Sequence, residues 1–439
     1  MVSPTEQLAE FVAGIEARTL PEPVRLLVIQ HTADTLAGMF ASAAIPEATS
    51  VLKLLGNSKA ESAGKAAMLA HAAESDPIHA GTTICAGLVA IPPALLFSAD
   101  GATAMAAMVA GYETAIRIGQ ALGSARLLGQ GWWPTAVLGG AGAAAATARA
   151  LGLTAEQTRN AISLALIQAG GLGMGAPEAP QSRNLLTAHC VRTGVGAAEA
   201  AARGIQGPAE PLIGERGFLS AFGFDPSPEL LLQGLGKNWK ITETCLKAFP
   251  CALQAQSALD ALQDVTKAAV LSATDIMSDI MSVEFGLPAP MRRNVDRPAP
   301  PESRFAAAAS LQFLAAAFLL DGDIVPARME ADARAQEDIV ALMDKISVTH
   351  APDLDQLYPT VWPARVRLVT ASADHTAEIH MPAGHPERPL PLQTTLDRFR
   401  TYSASRLDFA AQEVMINAVT GLADLTDLSE ITTPVRALL

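Results

Sequence analysis

The sequence predicts a mainly α-helical protein, with a large discontinuous helical-bundle domain and a smaller inserted α+β domain. Half of the 439 residues are hydrophobic, alanine is frequent and only 5% are aromatic. This composition favours closely packed helices over a β-sandwich. Apolar residues recur every three to four positions from residue 5 to about residue 265, as on a helix face. That pattern gives way to short β-like runs and returns after Leu392.

The first region reads as a series of helices. Its predicted later helices are Thr103–Leu122, Thr135–Leu151, Thr154–Gln168 and Leu185–Gly204. Thr154, with Gln157 three residues later, predicts a helix cap. The most apolar stretch, residues 86–111, contains Pro92, Pro93 and Asp100. It therefore predicts two buried helices and a turn, and no membrane span.

The pattern changes near Lys267. Strands are predicted at Ile280–Phe285, Ile346–His350, Ala364–Thr370 and Thr376–Met381. An alanine-rich helix is predicted at Arg304–Leu320. We therefore expect an α+β domain over residues 267–391 and a discontinuous helical domain over residues 1–266 and 392–439.

Charge and cysteine content exclude several classes of function. The 31 basic and 44 acidic residues give a net charge of −13, which argues against binding to nucleic acid or to an anionic membrane. The four cysteines, at 85, 190, 245 and 251, form no CxxC pair. A zinc ribbon or an iron–sulfur loop is therefore not expected. Scattered thiols and acidic residues near the start, where a secretory signal would be basic, predict a cytoplasmic protein.

The strongest cluster of ionisable residues spans residues 70–83. His71, Glu74, Asp76 and His79 fall within nine positions, between a helix and a loop. Such loops often carry acid–base groups. The alternative is a solvated loop in which Asp76 caps the following helix.

Other candidates stand on helices or beside turns. Tyr112 and Arg117 could hold a carboxylate, although Arg117 could instead pair with Glu113 four residues earlier. A glycine-rich segment at 170–175 lacks the spacing of a dinucleotide loop. The helix after it carries Arg183 and Arg192, which could bind an anion.

Lys247 precedes a Phe-Pro turn and follows a segment, Trp239–Thr244, that reads as extended. Desolvation there would lower the pKa of a lysine and suit it to proton transfer. Cys251 reads as a buried thiol. Three histidines recur at intervals of five, a spacing that suits metal ligands on neither a helix nor a strand: His375, His380 and His385.

Several motifs together resemble the MmgE/PrpD family over nearly the whole chain. They are Asp34–Gly38 (DTLAG), Gly111–Glu113 with Ile116–Gly119 (GYE, IRIG), Pro134–Thr135 with the alanine run and Leu151–Leu153, Gly214–Phe218 (GERGF), Lys247–Cys251 (KAFPC) and Gly384–Leu390 (GHPERPL). The resemblance implies a helical domain interrupted by an α+β domain, usually as a homodimer. It also implies cofactor-free chemistry, in which a proton is removed or returned beside a carboxylate of a small di- or tricarboxylate.

Some positions differ from the family pattern. Trp133 stands where dehydratase-like members carry a histidine, and Arg183 stands at a lysine position. The stretch Glu74–His79 keeps one carboxylate, Asp76, of an Asp-x-Asp-Asp-Thr run and loses its threonine. Lys247 is retained. Because arginine cannot shuttle a proton, these changes favour an iminodisuccinate-epimerase-like reaction.

An epimerase needs two proton carriers on opposite sides of one carbon, and His79 and Lys247 are the candidates. Asp76 is the third catalytic candidate. The expected substrate-binding residues are Tyr112, Trp133, Arg183 and Arg192. The alternatives are a 2-methylcitrate dehydratase-like or cis-aconitate decarboxylase-like lyase, and a non-catalytic protein that binds carboxylates. No metal and no cofactor are expected.

Overall fold

A computed structural model describes residues 2–173, 179–223, 225–269, 276–359 and 361–439. The chain divides into two compact units. The first unit contains Met1–Cys245 and Pro391–Leu439, and the second contains Leu246–Leu390. Helices dominate, and the described strands form one small sheet in the second unit, so the predicted fold class is confirmed.

The N-terminal part of the first unit is built from helices packed around an alanine-rich core. These are α1 (Pro4–Ala13), α2 (Glu22–Ser42), α3 (Pro46–Leu54), α4 (Lys59–Ala72), α5 (Ala86–Phe97), α6 (Gly101–Leu122), α7 (Pro134–Ala150), α8 (Ala155–Leu166), α9 (Pro180–Ala202) and α10 (Phe218–Phe222). Small residues let α7 and α9 approach closely. A Cβ on Gly194 would lie only 2.2 Å from the carbonyl oxygen of Gly140.

The second unit combines short helices with a four-stranded sheet. Its elements are α11 (Gln256–Ala269), α12 (Ile276–Asp279), β1 (Ile280–Leu287), α13 (Ala289–Val295), α14 (Arg304–Ala308), α15 (Leu311–Asp321), α16 (Ala331–Arg334), α17 (Glu337–Met343), β2 (Ile346–His350), β3 (Ala364–Thr370) and β4 (Asp374–Ile379). The strand order is β2-β1-β3-β4. Only β1 and β2 run parallel, and Phe285 of β1 lies between Val348 of β2 and Val366 of β3.

The remaining helices belong to the first unit: α18 (Leu392–Ser403), α19 (Phe409–Thr420) and α20 (Ser429–Arg436). Helix α18 packs on α2, where Arg398 donates to Asp34 at 2.6 Å and Phe399 meets Phe40 edge to face. The units divide after Cys245, about twenty residues before the position expected from the sequence pattern. The reason is that α11 packs against β3 and β4 of the second unit.

Several local predictions need correction. Helix α5 continues through Pro92 and Pro93, and the turn lies after it, at residues 98–100. The predicted helix Arg304–Leu320 is two helices, because the Ser310 hydroxyl accepts from the Phe313 amide and caps α15. The segment predicted to be extended before Lys247 contains a 3-10 turn, Lys240–Glu243. Within the described parts of the chain, no helix is both long and apolar enough to span a membrane.

Candidate functional site

The loop between α4 and α5 is held rigidly in the first unit. Ile78 and Cys245 exchange two backbone hydrogen bonds, of 3.0 and 2.8 Å, and the His79 amide donates to the Ile84 carbonyl at 2.9 Å. Glu74 and Thr83 adopt left-handed backbone conformations, with φ of 56° and 55°. Such conformations are costly for non-glycine residues and are common at functional sites.

A compact cluster, which we call the Arg183 cluster, forms where this loop meets α7 and α9. It consists of His71, Glu74, Asp76, Trp133 and Arg183. The Arg183 guanidinium lies over the Trp133 ring, with Cζ 4.7 Å from the ring centroid, and its Nε donates to His71 Nε2 at 2.8 Å. His71 Nδ1 lies 3.0 Å from an oxygen of Asp76. Glu74 Oε1 lies 3.7 Å from His71 Nε2 and 3.8 Å from Arg183 Nη2.

These contacts fix the tautomer of His71. A guanidinium can only donate, so His71 Nε2 must be the unprotonated nitrogen. The proton therefore sits on Nδ1 and is donated to Asp76, which holds the ring in place. His71 and Asp76 are fully buried, whereas the Arg183 side chain is 21% exposed. The cluster can thus present a fixed, planar cation to an anion.

The structure brings together three of the predicted residues, Asp76, Trp133 and Arg183, and adds His71 and Glu74. Both additions belong to the run AHAAESD that the sequence already marks as unusual. Asp76 does not cap α5, because it is buried and Cys85 occupies the cap position.

A second cluster surrounds His79. The backbone amide of Thr82 donates to His79 Nδ1 at 3.1 Å, so the proton of a neutral ring sits on Nε2. Nε2 lies 3.3 Å from Glu243, which also accepts from Lys240 Nζ at 2.7 Å and from Gln120 at 2.9 Å. Partial burial would raise the pKa of Glu243, but the hydrogen bonds from His79 and Lys240 and the charge of Lys240 outweigh it and hold the pKa at about 2. Glu243 is therefore an anion with both oxygens engaged.

A buried ion pair supports the turn that carries Lys240. Arg117 donates to Glu113 at 2.7 Å, and both side chains are inaccessible to solvent, which confirms the pairing expected from their spacing. Glu113 also accepts from the Lys240 amide. Arg117 further donates to the carbonyls of Gln233 and Asn238, both at 2.9 Å. Burial raises the pKa of Glu113, and Arg117 opposes that rise. This pair acts as a scaffold.

Two predicted substrate-binding residues lie apart from the Arg183 cluster. Tyr112 is fully buried, and its hydroxyl lies 2.9 Å from His31 Nδ1. Arg192 lies nine residues beyond Arg183 on α9, two and a half turns away and therefore on the opposite face. It contacts His189 at 3.3 Å. Part of the glycine-rich segment before α9, residues 174–175, lies outside the described residues.

Lys247 belongs to the second unit, and its side chain is almost completely buried. It begins the segment Lys247–Cys251, which the Gln256 side chain holds by bonding to both the amide and the carbonyl of Phe249, at 3.1 and 2.9 Å. The Cys251 thiol is buried, as expected.

Potential metal ligands also converge at one place. One ligand atom each of His71, Asp76 and Cys85 lie within 4.8 Å of one another. The hydrogen bonds described above direct the His71 Nδ1 proton at Asp76, so that nitrogen is engaged and would have to lose its proton to bind a metal. In the described parts of the chain, His71 and Asp76 form a hydrogen-bonded pair, and the Cys85 thiol lies beside them.

The fold is that of a mainly α-helical protein with a small α+β unit. Residues 6–231 match the model of the MmgE/PrpD N-terminal domain, and residues 249–424 match that of the MmgE/PrpD C-terminal domain. The chain therefore belongs to the MmgE/PrpD family and is an enzyme of that type.

Curated relatives carry decarboxylase names. A cis-aconitate decarboxylase-like protein of Aspergillus oryzae is 27% identical over 387 residues, which cover 82% of this chain and 79% of the relative. The human cis-aconitate decarboxylase is 29% identical over 68% of this chain and 62% of its own length. The Aspergillus terreus enzyme of that name is 25% identical over 80% of this chain and 75% of its own. These relatives support lyase-type chemistry and give no support to the epimerase preference.

Proposed function

We propose that this protein is a lyase that removes carbon dioxide from a small unsaturated tricarboxylate of the cis-aconitate type. The names of the curated relatives support this chemistry over epimerisation. The observation that carries the proposal in this chain is the Arg183 guanidinium, stacked on Trp133 and hydrogen-bonded to His71. Such a cation suits a carboxylate, because its planar donors match the two carboxylate oxygens.

The reaction needs charge stabilisation and one proton. The bond between the methylene carbon and its carboxylate breaks, and carbon dioxide leaves. The electron pair moves through the adjacent double bond, and the far alkene carbon takes up a proton. The products are carbon dioxide and a five-carbon unsaturated dicarboxylate. Negative charge spreads onto a remaining carboxylate during the reaction, and a fixed guanidinium stabilises such charge without losing its own proton.

We assign the proton to Lys247. A lysine ammonium can donate a proton and take up another, which a guanidinium such as that of Arg183 cannot do. His79 suits this role less well, because both ring nitrogens are engaged by Thr82 and Glu243 within the first unit. This engagement also weakens the two-carrier epimerase, which relied on His79.

Proton NMR in deuterated buffer with cis-aconitate tests the proposal. We expect release of carbon dioxide and a new unsaturated dicarboxylate with one deuterium on its saturated carbon. Exchange of an α-proton in a saturated dicarboxylate, without release of carbon dioxide, would instead support the epimerase. Thermal stabilisation by these acids with no reaction at all would favour a carboxylate-binding protein. The homodimer stays a prediction, which light scattering at several concentrations tests.

A further inference from the structure

The segment that begins with Lys247 is fastened to a distant loop of the second unit. The Leu246 amide, next to Lys247, donates to the Gly384 carbonyl at 2.9 Å, and the Gly384 amide donates to the Arg388 carbonyl at 2.8 Å. The loop belongs to the sequence GHPERPL, which the proposed chemistry does not use. It therefore contacts the backbone immediately before the lysine.

Gly384 is required at this contact for two reasons. Its φ of 88° lies in the left-handed region, which strains residues with a side chain. A Cβ there would also lie 1.8 Å from the carbonyl oxygen of Leu246. Because that atom is backbone, a larger residue can be accommodated only by moving the chain beside Lys247.

The loop is itself fixed by a buried carboxylate. Asp260 on α11 accepts from the Ala383 amide at 2.5 Å and from Arg388 Nη1 at 2.7 Å. Gln256, one turn earlier on α11, holds Phe249 by two hydrogen bonds. One helix therefore holds the chain on both sides of Lys247, through the loop on one side and directly on the other. We call Gln256, Asp260, Ala383, Gly384 and Arg388 the lysine clamp.

We propose that the lysine clamp sets the position of the Lys247 amine, and that Gly384 and Gln256 are positioning residues for the lyase reaction. This inference rests on the proposed function, in which Lys247 supplies the proton. A proton donor must come within about 3 Å of the atom that it protonates. Displacement of a catalytic group by about 1 Å can cost on the order of 100-fold in rate. A buried lysine fastened on both sides is protected from such displacement.

The test compares two glycine substitutions in the second unit. Gly384→Ala brings both backbone strain and the collision with Leu246. Gly322→Ala, after α15, brings the strain alone, since Gly322 has a φ of 76° and open space where its Cβ would lie. Each variant is measured for kcat, for KM and for the rate of reductive methylation of Lys247, followed by peptide mass spectrometry.

We expect Gly384→Ala to lower kcat by roughly 10- to 100-fold with little change in KM, since the lysine is displaced and the carboxylate-binding cation is not. Methylation of Lys247 should become at least about fivefold faster, as expected for a less tightly held amine. Gly322→Ala should leave both measurements near wild type. Changed methylation in a protein that decarboxylates nothing would support the clamp while the proposed function fails.

Unchanged methylation and kcat in a folded Gly384→Ala variant would overturn the proposal. If Gly384→Ala does not fold, the variant Gln256→Glu tests the lysine clamp instead. Glutamate can still accept from the Phe249 amide, but its carboxylate cannot donate to the Phe249 carbonyl. In Gln256→Glu we expect the methylation of Lys247 to become faster than in wild type, by a smaller factor than in Gly384→Ala. A methylation rate equal to that of wild type in Gln256→Glu would equally overturn the clamp.

Discussion

Replacing Arg183 with lysine tests whether the Arg183 cluster binds a carboxylate. The substitution keeps the positive charge but removes the planar group that stacks on Trp133 and the Nε–H that donates to His71 at 2.8 Å. Arg192→Lys is the matched control, because it makes the same change on the same helix, where the guanidinium contacts His189 instead.

The expected magnitude follows from the two contacts. A hydrogen bond from a charged donor contributes about 1.5–3 kcal/mol, and a cation–π contact at a partly exposed site contributes about 0.5–1 kcal/mol. Together they give about 2–4 kcal/mol, and each 1.36 kcal/mol is a factor of ten in rate. Without these two contacts the cation is no longer held in place, and kcat/KM for cis-aconitate should fall by about 30- to 900-fold.

The assay is the initial rate of carbon dioxide release, measured over a range of cis-aconitate concentrations for wild type and both variants. Thermal melting in the presence of the same acid gives an independent measure of binding. Arg192→Lys should change kcat/KM by less than about twofold, as is usual for surface changes away from a site. Equal losses in the two variants, or a loss below about threefold in Arg183→Lys, would refute the assignment of the carboxylate to Arg183.

Four further predictions concern stability, acid–base chemistry and metals. Arg117→Met should destabilise the protein by about 3–5 kcal/mol in urea unfolding, because it leaves Glu113 buried without its cation. Arg365, which forms an exposed ion pair with Glu378, gives the comparison: Arg365→Met should lower the free energy of unfolding by only about 0–1 kcal/mol. Burial lowers the pKa of His31 to about 3 from its ordinary 6.5. Between these values the unfolded chain binds a proton that the folded protein does not, so stability should fall as the pH drops from about 6.5 to about 3, and less steeply in His31→Gln. Lys247→Arg should lower kcat by about 10²- to 10⁴-fold if Lys247 is a proton donor. EDTA should leave activity unchanged.

Each of these has an outcome that contradicts it. Similar losses of stability for Arg117→Met and Arg365→Met would mean that burial of the pair is unimportant. An unchanged pH slope in His31→Gln would remove His31 as the source of acid sensitivity. An arginine variant of Lys247 that keeps kcat and changes only KM would make the residue a binding group. Loss of activity with a chelator, restored by zinc or iron, would turn the His71, Asp76 and Cys85 grouping into a metal site.

Local signals in the sequence predicted much of the fold. Thr154 and Gln157 form the expected capping box on α8, since such a box depends only on residues three apart. Strands β2 and β3 have the predicted bounds, because alternating apolar residues are buried along them. The sequence does not reveal the 3-10 turn Lys240–Glu243, because the group that binds its first amide, Glu113, lies more than one hundred residues earlier.

The candidate site was harder to predict for the same physical reason. The Glu113–Arg117 pair could be inferred because its members are one helical turn apart. His71 could not be chosen over His79, because its partner Arg183 lies 112 positions away. The sequence assigns both Arg183 and Arg192 to substrate binding, and the packed structure separates them by placing them on opposite faces of α9. Distant pairings of this kind need the packed structure.

The two replacements at positions 133 and 183 are best understood together. A histidine and a lysine at these positions, as in dehydratase-like members, could both exchange protons, whereas tryptophan cannot and arginine stays charged. Here the two side chains stack on each other, and the same guanidinium donates to His71. The pair thus provides a planar cation held against an aromatic face. If the protein is a lyase, proton transfer must then rest on other groups, which is why the position of Lys247 matters more here than in a relative that keeps the histidine and the lysine.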